Sequence, residues 1–525
     1  MREQAEVVFT IGAMVAVVAV TVVTELYGTR IRSTSNFLVA SRTVGPRWNG
    51  AAISGEYLSA ASFLGIAGLV LKDGVDALWY PIGFTAGYLA LLLFVAAPLR
   101  RSGVYTLPDF AEERLGSALL RKVCTCFVII IGWLCLVPQL QGAGLTVAIV
   151  SSSRYPPWVG AAVVMVIVTF NIYTGWMRSI TVVQAFQYWI ILTTLAVPVF
   201  VVPIRYATED QAFRNSLSVA VDNETWLRPF SDPAHSSLLA TCSLVLALML
   251  GAMGLPQVLG RFYANPDGHA ARKTTLVVVA LLGVFYLFPM ISGWLARRYV
   301  PELLVTGNTD AALLLLPLAA FGGWPAQLLC ALIAAGAFAA FVSAASGLVV
   351  SVAGVLSSDV LPGRFRGFRV ATLAAWPVPL AFALAVSSLD LAQGVGLAFA
   401  VAASSFCPLL VLGIWWRGLT DVGAVAGLLL GGGLAFAAVL SAAAGVLPPG
   451  WQEMAAQPAV FTVPLAFLTM VMVSRRTSDR VPIDVTRILL RLHAPERLGL
   501  AEDGDIARLG IAATLLRPRS GRHRR

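Results

Sequence analysis

The carboxyl group of Glu56 lies in the middle of an apolar stretch, ISGEYLSAASFLGIAG, at residues 53–68. A charge inside a bilayer is costly, so an ionisable side chain there usually serves an ion or a substrate. Glycines and serines in this stretch loosen a helix and add hydroxyl groups. A helix broken here would offer free carbonyls to a cation and a half-helix N-terminus to an anion.

A second loosened stretch, GAMGLPQVLG, runs from Gly251 to Gly260. Pro256 cannot donate a backbone hydrogen bond, and Gly251 and Gly254 weaken the same turn. Interrupted helices at matching places in two halves of a chain are the best sequence indication of a transporter's binding site. The alternative is that glycine and proline are simply common in membrane helices.

Two further segments contribute polar groups. Ser343 and Ser346 share one face of a helix built from small residues, ALIAAGAFAAFVSAASGLVVSVAGVLSS. Small residues permit close helix packing, whereas hydroxyls and freed carbonyls suit a hard cation such as sodium. In VPQLQGAG, Gln139 and Gln141 place amides inside a span, where they either bind substrate or join helices.

The composition requires these segments to be membrane helices. Of 525 residues, 58% are hydrophobic and 12% are charged, against about 25% charged residues in soluble proteins. The net charge of +10 resides in short loops and a tail, which excludes nucleic-acid binding. The six cysteines and four histidines show no metal-ligand spacing or nucleophile–base pair, so neither a transition-metal site nor an enzyme is expected.

The sequence predicts an all-α polytopic membrane protein with about 13 transmembrane helices. Helices of about 20 apolar residues cross the hydrocarbon core. The two loosened segments are the second and seventh spans, five apart, which predicts an inverted repeat. The expected spans are 7–26, 50–71, 76–98, 122–150, 157–174, 180–203, 237–258, 274–296, 324–358, 368–388, 391–416, 421–447 and 458–474.

The basic residues predict the orientation. Seventeen of them, Arg261 included, fall in loops on one side, against eight on the other. This bias places the N-terminus outside and the C-terminus in the cytoplasm. The tail carries an amphipathic segment, 484–498, that could contact anionic lipid, the alternative being a solvated tail. Residues 311–321 predict a re-entrant or surface helix, and the excess of arginine over lysine suggests a bacterial source.

Six blocks resemble the sodium/solute symporter family, and within it the cation/acetate (monocarboxylate) branch. They are SGEYLSAASFLGIAGLV (54–70), GVDALWYPIGF (74–84), LRRSGVYTLPDF (99–110), TGWMRSIT (174–181), GLPQVLGRFYANPDGHAARK (254–273) and GLAFAVAASSFCPLLVLGIWWRGLT (396–420). The resemblance covers about residues 36–474. It implies a five-plus-five inverted-repeat core of the leucine-transporter type and sodium-driven symport by alternating access.

The resemblance also implies a sodium site. The carbonyls of Gly55 and Leu58 would face a set of three residues on the ninth span, namely Ala340, Ser343 and Ala344. Many members have two adjacent hydroxyl residues where this chain has Ser343-Ala344, and Ser346 could supply the second hydroxyl. The acetate branch usually has Asp and His where this chain has Glu56 and Gln257, so its substrate could differ from acetate.

The expected function is cation-coupled uptake of a small monocarboxylate such as acetate, with sodium as coupling ion and no cofactor. The expected substrate-binding residues come from the loosened segments and the fourth span: Glu56, Tyr57, Gln139, Gln141, Gly254 and Gln257. A carboxyl group among apolar residues can carry a proton, so proton coupling is an alternative. So are an amino acid, polyol or nucleobase as solute, and a transporter-like ligand sensor.

The expected organisation has four parts. Residues 1–35 hold the first span and an inside loop, and 36–420 form the transport core of spans 2 to 11. Residues 421–474 add two C-terminal spans, and 475–525 form a basic cytoplasmic tail. The expected partners are a small organic anion, sodium and the lipid bilayer of the cell membrane.

Overall fold

The structure, a computed structural model, describes residues 44–174, 177–208, 226–230, 238–361, 364–385, 390–446 and 455–494, with the single positions 12 and 448. Every regular element in these ranges is helical. Apart from position 12, the expected span 7–26 lies outside the described residues, as does the tail beyond residue 494.

The N-terminal half holds eleven α-helices within the described residues. They are α1 (Pro46–Tyr57), α2 (Ile66–Asp73), α3 (Trp79–Phe94), α4 (Ala96–Arg101), α5 (Leu107–Leu115), α6 (Ala118–Val150), α7 (Trp158–Thr174), α8 (Met177–Thr208), α9 (Leu238–Ala252), α10 (Pro256–Phe262) and α11 (Gly268–Tyr299). A π-helical turn, Ala61–Gly65, precedes α2, and a 3₁₀ turn, Gly74–Leu78, follows it.

Ten further α-helices follow in the described C-terminal half. They are α12 (Leu303–Thr306), α13 (Ala312–Ala320), α14 (Trp324–Val355), α15 (Arg364–Ala374), α16 (Pro377–Ala385), α17 (Leu391–Trp415), α18 (Asp421–Gly427), α19 (Gly433–Ala443), α20 (Ala459–Arg476) and α21 (Val485–His493). π-helical turns at Leu356–Val360 and Leu428–Gly432 extend α14 and join α18 to α19.

Ten helical segments of the described chain are long and apolar enough to cross a membrane. The expected count of thirteen is not confirmed. The first expected span lies outside the described residues, and the helix at 157–174 is shorter than the other spans. The second and third expected spans join in one helical run from Ala61 to Phe94.

Two helices form the centre of the bundle. α14 and α17 are the most deeply buried of the membrane-length helices that the structure describes. α14 packs against α6 and α8, and α17 packs against α6 and α9. Small side chains make this possible, since a Cβ at Gly336 of α14 would collide with Thr194 of α8.

Both expected helix interruptions are present. α1 ends at Tyr57, and regular helix resumes after Leu58 and Ser59 leave the helical conformation. α9 ends at Ala252, and α10 begins at Pro256 after three non-helical residues. Proline at the first position of α10 needs no hydrogen-bond partner, which explains why the helix restarts there.

The apolar stretch 311–321 forms α13, which is too short to cross the membrane. Leu313, Leu314 and Leu316 are fully buried, and the helix packs against α11 and α14. The stretch is therefore neither solvated nor a simple surface helix, because protein covers most of its apolar side chains.

The tail segment forms the amphipathic helix α21, as expected, but its apolar face is not free for lipid. Leu492 is 1% exposed and belongs to the main core, and α21 packs against α4. Arg491 donates to Glu113 and to the Ser102 carbonyl, while Arg101 donates to the His493 carbonyl at 3.2 Å. We call the end of the bundle where α21 lies the tail side, and the opposite end, where α17 begins, the Asp390 side.

We expect Leu492→Ala to lower the melting temperature of the purified protein, because truncating a buried leucine costs about 2–5 kcal/mol. Leu490→Ala is the matched control, since Leu490 lies on the same helix and is 58% exposed. Thermal denaturation in detergent measures the melting temperature of each variant, and limited proteolysis measures how accessible the tail is. Equal melting temperatures for the two variants would show that α21 does not dock as described.

Candidate functional site

A buried ion pair joins the two interrupted helices. The Arg261 guanidinium, near the end of α10, donates from Nε to Glu56 Oε2 at 2.6 Å. Both side chains are at most 3% exposed. The expectation that Arg261 lies in a loop is wrong, because Arg261 lies on the helix α10. It falls within the membrane-length segment Leu238–Phe262.

Further hydrogen bonds satisfy the guanidinium. Arg261 Nη1 donates to Thr181 Oγ1 at 2.8 Å, and Nη2 donates to Gln184 Oε1. A buried ion pair is stable only if its remaining polar atoms find partners, and removing one partner costs about 3–5 kcal/mol. The Glu56 charge is therefore balanced within the protein.

α8 carries this network to the central helix α14. Gln184 Nε2 donates to the Ser343 carbonyl at 3.0 Å. At the same level, a Cβ on Gly55 would lie 2.5 Å from the Gln184 carbonyl, so α1 and α8 are in backbone contact there. Gln184 thus touches both helices that carry the expected sodium ligands.

The expected sodium-site residues lie on these two helices. Gly55 and Leu58 flank the end of α1, while Ala340, Ser343, Ala344 and Ser346 are buried along α14. Within the described chain, Ser343 Oγ is buried and has no hydrogen-bond partner. A buried hydroxyl without a partner beside an interrupted helix fits a cation ligand. Their role in binding sodium stays a prediction.

A central cavity of about 30 Å³ lies beside the two breaks. Its walls come from α1, α3, α6, α10, α14, α17 and the chain after α1: Glu56, Tyr57, Ser59, Ser62, Phe84, Cys135, Gln139, Leu255, Gln257, Val258, Ala344, Leu348, Val395 and Phe399. Four of the six expected substrate-binding residues, Glu56, Tyr57, Gln139 and Gln257, therefore share one cavity.

Three of these four have identifiable roles in the cavity wall. Gln139 Oε1 accepts a hydrogen bond from the backbone N–H of Ala60 at 2.9 Å. The helix break leaves this N–H without a backbone partner, and Gln139 supplies one. Tyr57 meets Phe84 and Phe399 edge-on, with ring centroids 5.9 and 6.1 Å apart. Gln257 Oε1 is buried without a hydrogen-bond partner among the described residues, and so is available to a ligand.

The other two expected residues do not line this cavity. Gln141 lines a separate apolar cavity with Pro138 and Phe382. Gly254 lies at the second break, where a Cβ would come within 2.6 Å of the Ala402 carbonyl. Its lack of a side chain is required for packing against α17.

A second cavity extends from the ion pair toward the tail side. It is lined by Glu56, Gln257 and Arg261 at one end, and by residues 105–108, where α5 begins, at the other. Arg100 braces this region by donating to the carbonyls of Asn265 and Pro266, just after α10. The site therefore communicates with the tail side.

The Asp390 side is closed by close contacts. Lys72 pairs with Asp390 at 3.1 Å, and the Leu391 amide donates to Asp310 at 2.9 Å. A Cβ on Gly68 would come within 2.8 Å of the Thr309 backbone. These contacts join α2 to the starts of α13 and α17.

Sequence reasoning missed Arg261 and Gln184. Arg261 follows Gln257 by four positions, so a helix that begins at Pro256 places both on one face. That spacing was visible in the sequence. Gln184 carries no such signal, because its partners are far away along the chain and no motif marks it.

We expect Gly347→Ala to destabilise the protein, because a Cβ there would collide with the Glu56 carboxylate. Glu56 cannot move aside without leaving Arg261. Gly354→Ala on the same helix is the control, since its Cβ would meet nothing within 4 Å, and alanine favours helix by about 0.5–1 kcal/mol. Melting temperatures should fall for the first variant only; an unchanged value for Gly347→Ala would contradict the contact.

The sequence matches a known protein family and a curated relative. The sequence pattern of the sodium:solute symporter family matches residues 37–431. An uncharacterised symporter of Bacillus subtilis (strain 168), YwcA, is 32% identical over 482 residues, which is 86% of this chain and 91% of the relative.

Two solved structures show the same fold. A Na⁺-coupled sialic acid symporter in a substrate-bound outward-open state superposes with a TM-score of 0.69, at 16% identity, over 89% of this chain and 97% of its own. A nucleobase-cation-symport-1 transporter in a closed conformation gives 0.52, at 13% identity, over 88% and 99%. The fold is the leucine-transporter-type inverted repeat, and the chain belongs to the sodium:solute symporter family.

Proposed function

We propose that this symporter couples sodium to the uptake of a small monocarboxylate such as acetate. The observation that carries the proposal is the charge balance at the cavity. Glu56 and Arg261 neutralise each other, so a bound sodium ion would add one positive charge beside the cavity. A monoanion restores neutrality, whereas a neutral solute would leave that charge unbalanced in a low-dielectric site.

The lining of the cavity is compatible with a small anion. Ser59, Ser62 and Gln257 offer polar groups, while Tyr57 and Phe399 close the apolar side. A methyl or ethyl group against the aromatic rings and a carboxylate toward the polar residues would use both surfaces. The cavity is small, which favours a short carboxylic acid over a long one.

The ion pair favours sodium over a proton as the coupling ion. If Glu56 carried a proton in each cycle, the Arg261 guanidinium would lose its counter-charge while buried. With one sodium ion per monoanion, no net charge crosses the membrane, so the sodium concentration gradient alone drives uptake.

The tail side is the cytoplasmic side in this proposal. The described basic residues Arg100, Arg101, Arg114 and Arg121 all lie at that end, as the positive-inside rule requires. The structure is then closed toward the outside, with a cavity reaching from the site toward the cytoplasm.

The proposal predicts saturable uptake of radiolabelled acetate into proteoliposomes under an inward sodium gradient, with competition by propionate and pyruvate. Empty liposomes and an inward potassium gradient are the controls. Uptake driven only by an inward proton gradient would show that the coupling ion is a proton and not sodium. If acetate is not taken up under any gradient, acetate is not the substrate, and amino acids, polyols and nucleobases are tested next.

Ser343→Ala gives the same test at residue level. The Ser343 hydroxyl has no hydrogen-bond partner among the described residues, so it is free to bind sodium. Its removal should raise the half-saturating sodium concentration for uptake about tenfold. Ser441→Ala on α19 is the control, because the Ser441 hydroxyl already bonds to the Ala438 carbonyl.

The closed Asp390 side predicts a pH dependence. Burial raises the pKa of Asp310 to about 7; the Leu391 amide opposes this shift, Asp390 reinforces it, and Lys72 opposes it. When this side opens, the carboxyl is hydrated and its pKa returns to about 3.9. The closed conformation thus binds a proton that the open one releases, so closure becomes less favourable as the pH rises from about 4 to 7.

We therefore expect sodium-driven uptake to slow between pH 4.5 and 7 on the Asp390 side and to level off above pH 7, where Asp310 is ionised in both conformations. Asp310→Asn should flatten this profile. Glu302→Gln, at an exposed carboxyl nearby, is the control and should keep the wild-type profile. Uptake in proteoliposomes with the pH varied in one compartment measures it, and a wild-type profile in Asp310→Asn would contradict the assignment.

A further inference from the structure

Arg261 is the centre of a set of contacts that links four helices. It lies on α10, pairs with Glu56 on α1, and donates to Thr181 and Gln184 on α8. Gln184 then donates to the Ser343 carbonyl on α14. We call these four side chains, together with the Ser343 carbonyl, the Arg261 network. It connects the second interrupted helix to both helices that carry the expected sodium ligands.

We propose that Arg261 is a positioning residue for sodium binding, which rests on the proposed sodium coupling. The guanidinium orients the Gln184 amide, and Gln184 holds α14 at a fixed distance from α1. The oxygen atoms of Gly55 and Ser343 are thereby kept where one cation can reach them together.

The orientation of the Gln184 amide is the critical point. An amide has one oxygen that accepts and one nitrogen that donates. Because Arg261 can only donate, it binds Oε1, and the Nε2 donors must point toward the Ser343 carbonyl. Without Arg261 the amide could flip, and its oxygen would then face the carbonyl and repel it.

Only arginine can do this at position 261. Its planar guanidinium donates in three directions at once, to Glu56, Thr181 and Gln184. A lysine ammonium keeps the positive charge but is a compact point charge on a flexible stem. Lysine could pair with Glu56, yet it would not also hold Gln184 in a fixed orientation.

The network also connects the sodium site to the cavity on the tail side. Arg261 and Gly260 line that cavity, and both belong to the short half-helix α10. A movement of α10 that widens the cavity would pull Arg261 away from Gln184. Opening toward the tail side would then loosen the sodium site, which is what release of the ion on that side requires.

The test is the sodium dependence of the melting temperature of the purified full chain, at constant ionic strength with potassium as replacement. A ligand that binds only the folded state stabilises it by RT ln(1 + [L]/Kd), so the rise in melting temperature with sodium concentration yields the half-saturating concentration, Kd. Arg261→Lys should raise the half-saturating sodium concentration about tenfold. A merely structural role would lower the melting temperature without moving this concentration.

Arg114→Lys is the matched control. Arg114 is as deeply buried as Arg261 but donates to the Gly413 carbonyl at 2.8 Å and the Trp416 carbonyl at 3.2 Å, at the end of α17. The Arg114→Lys variant should be less stable than the wild type but should keep the wild-type half-saturating sodium concentration. Equal sodium shifts in the two lysine variants would overturn the proposal.

A double variant tests the path through Gln184. Gln184→Leu should raise the half-saturating sodium concentration as Arg261→Lys does, and combining the two should add nothing, because both remove the same orienting contact. Additive shifts would show that Arg261 acts by another route and would overturn the role assigned to Gln184.

Thr181→Val decides the question if Arg261→Lys does not fold. It removes one hydrogen bond from the guanidinium and leaves the ion pair intact, so a two- to threefold shift is expected, about 0.4–0.6 kcal/mol. An unchanged half-saturating sodium concentration in Thr181→Val would overturn the proposal. If sodium does not change the melting temperature of the wild-type protein, sodium coupling itself is overturned. If sodium raises the wild-type melting temperature but Arg261→Lys keeps the wild-type half-saturating sodium concentration, only the positioning role is overturned.

Discussion

A carboxylate buried among membrane helices must have its charge balanced inside the protein, and much of this structure follows from that requirement at Glu56. The partner, Arg261, lies on the half-helix that follows the second interruption, and Glu56 lies next to the first. Arg261 in turn requires acceptors, which α8 supplies through Thr181 and Gln184. The absence of a side chain at Gly347 leaves room for the carboxylate beside α14.

The two ends of the bundle are closed by different means. On the Asp390 side, glycine lets backbones approach, as at Gly68 and Thr309, and the Lys72–Asp390 pair adds a charged contact. On the tail side, arginines donate to carbonyls at helix ends, as Arg114 does at the end of α17. Opening of the Asp390 side would separate the Lys72–Asp390 ion pair and hydrate the buried Asp310 carboxyl.

The sequence was sufficient for features that arise from local chemistry. Glycine marks both helix interruptions, with Pro256 at the second, and most of the apolar spans follow from hydropathy alone. What depends on a distant partner could not be predicted, and Glu56 and Arg261 are 205 positions apart. Gln139 and Gln141 show a second limit. Two positions apart on a helix they face different directions, so one of them at most could line the cavity, and the sequence does not say which.

The amphipathic pattern of α21 likewise predicted an apolar face but not what covers it. That face is covered by the region around α4, which is made almost 400 positions earlier. During synthesis, the ribosome must therefore complete the spans between them before Arg491 can reach Glu113. Until then Leu492's binding surface stays uncovered, so the final packing of this side can be reached only by a chain translated past residue 493.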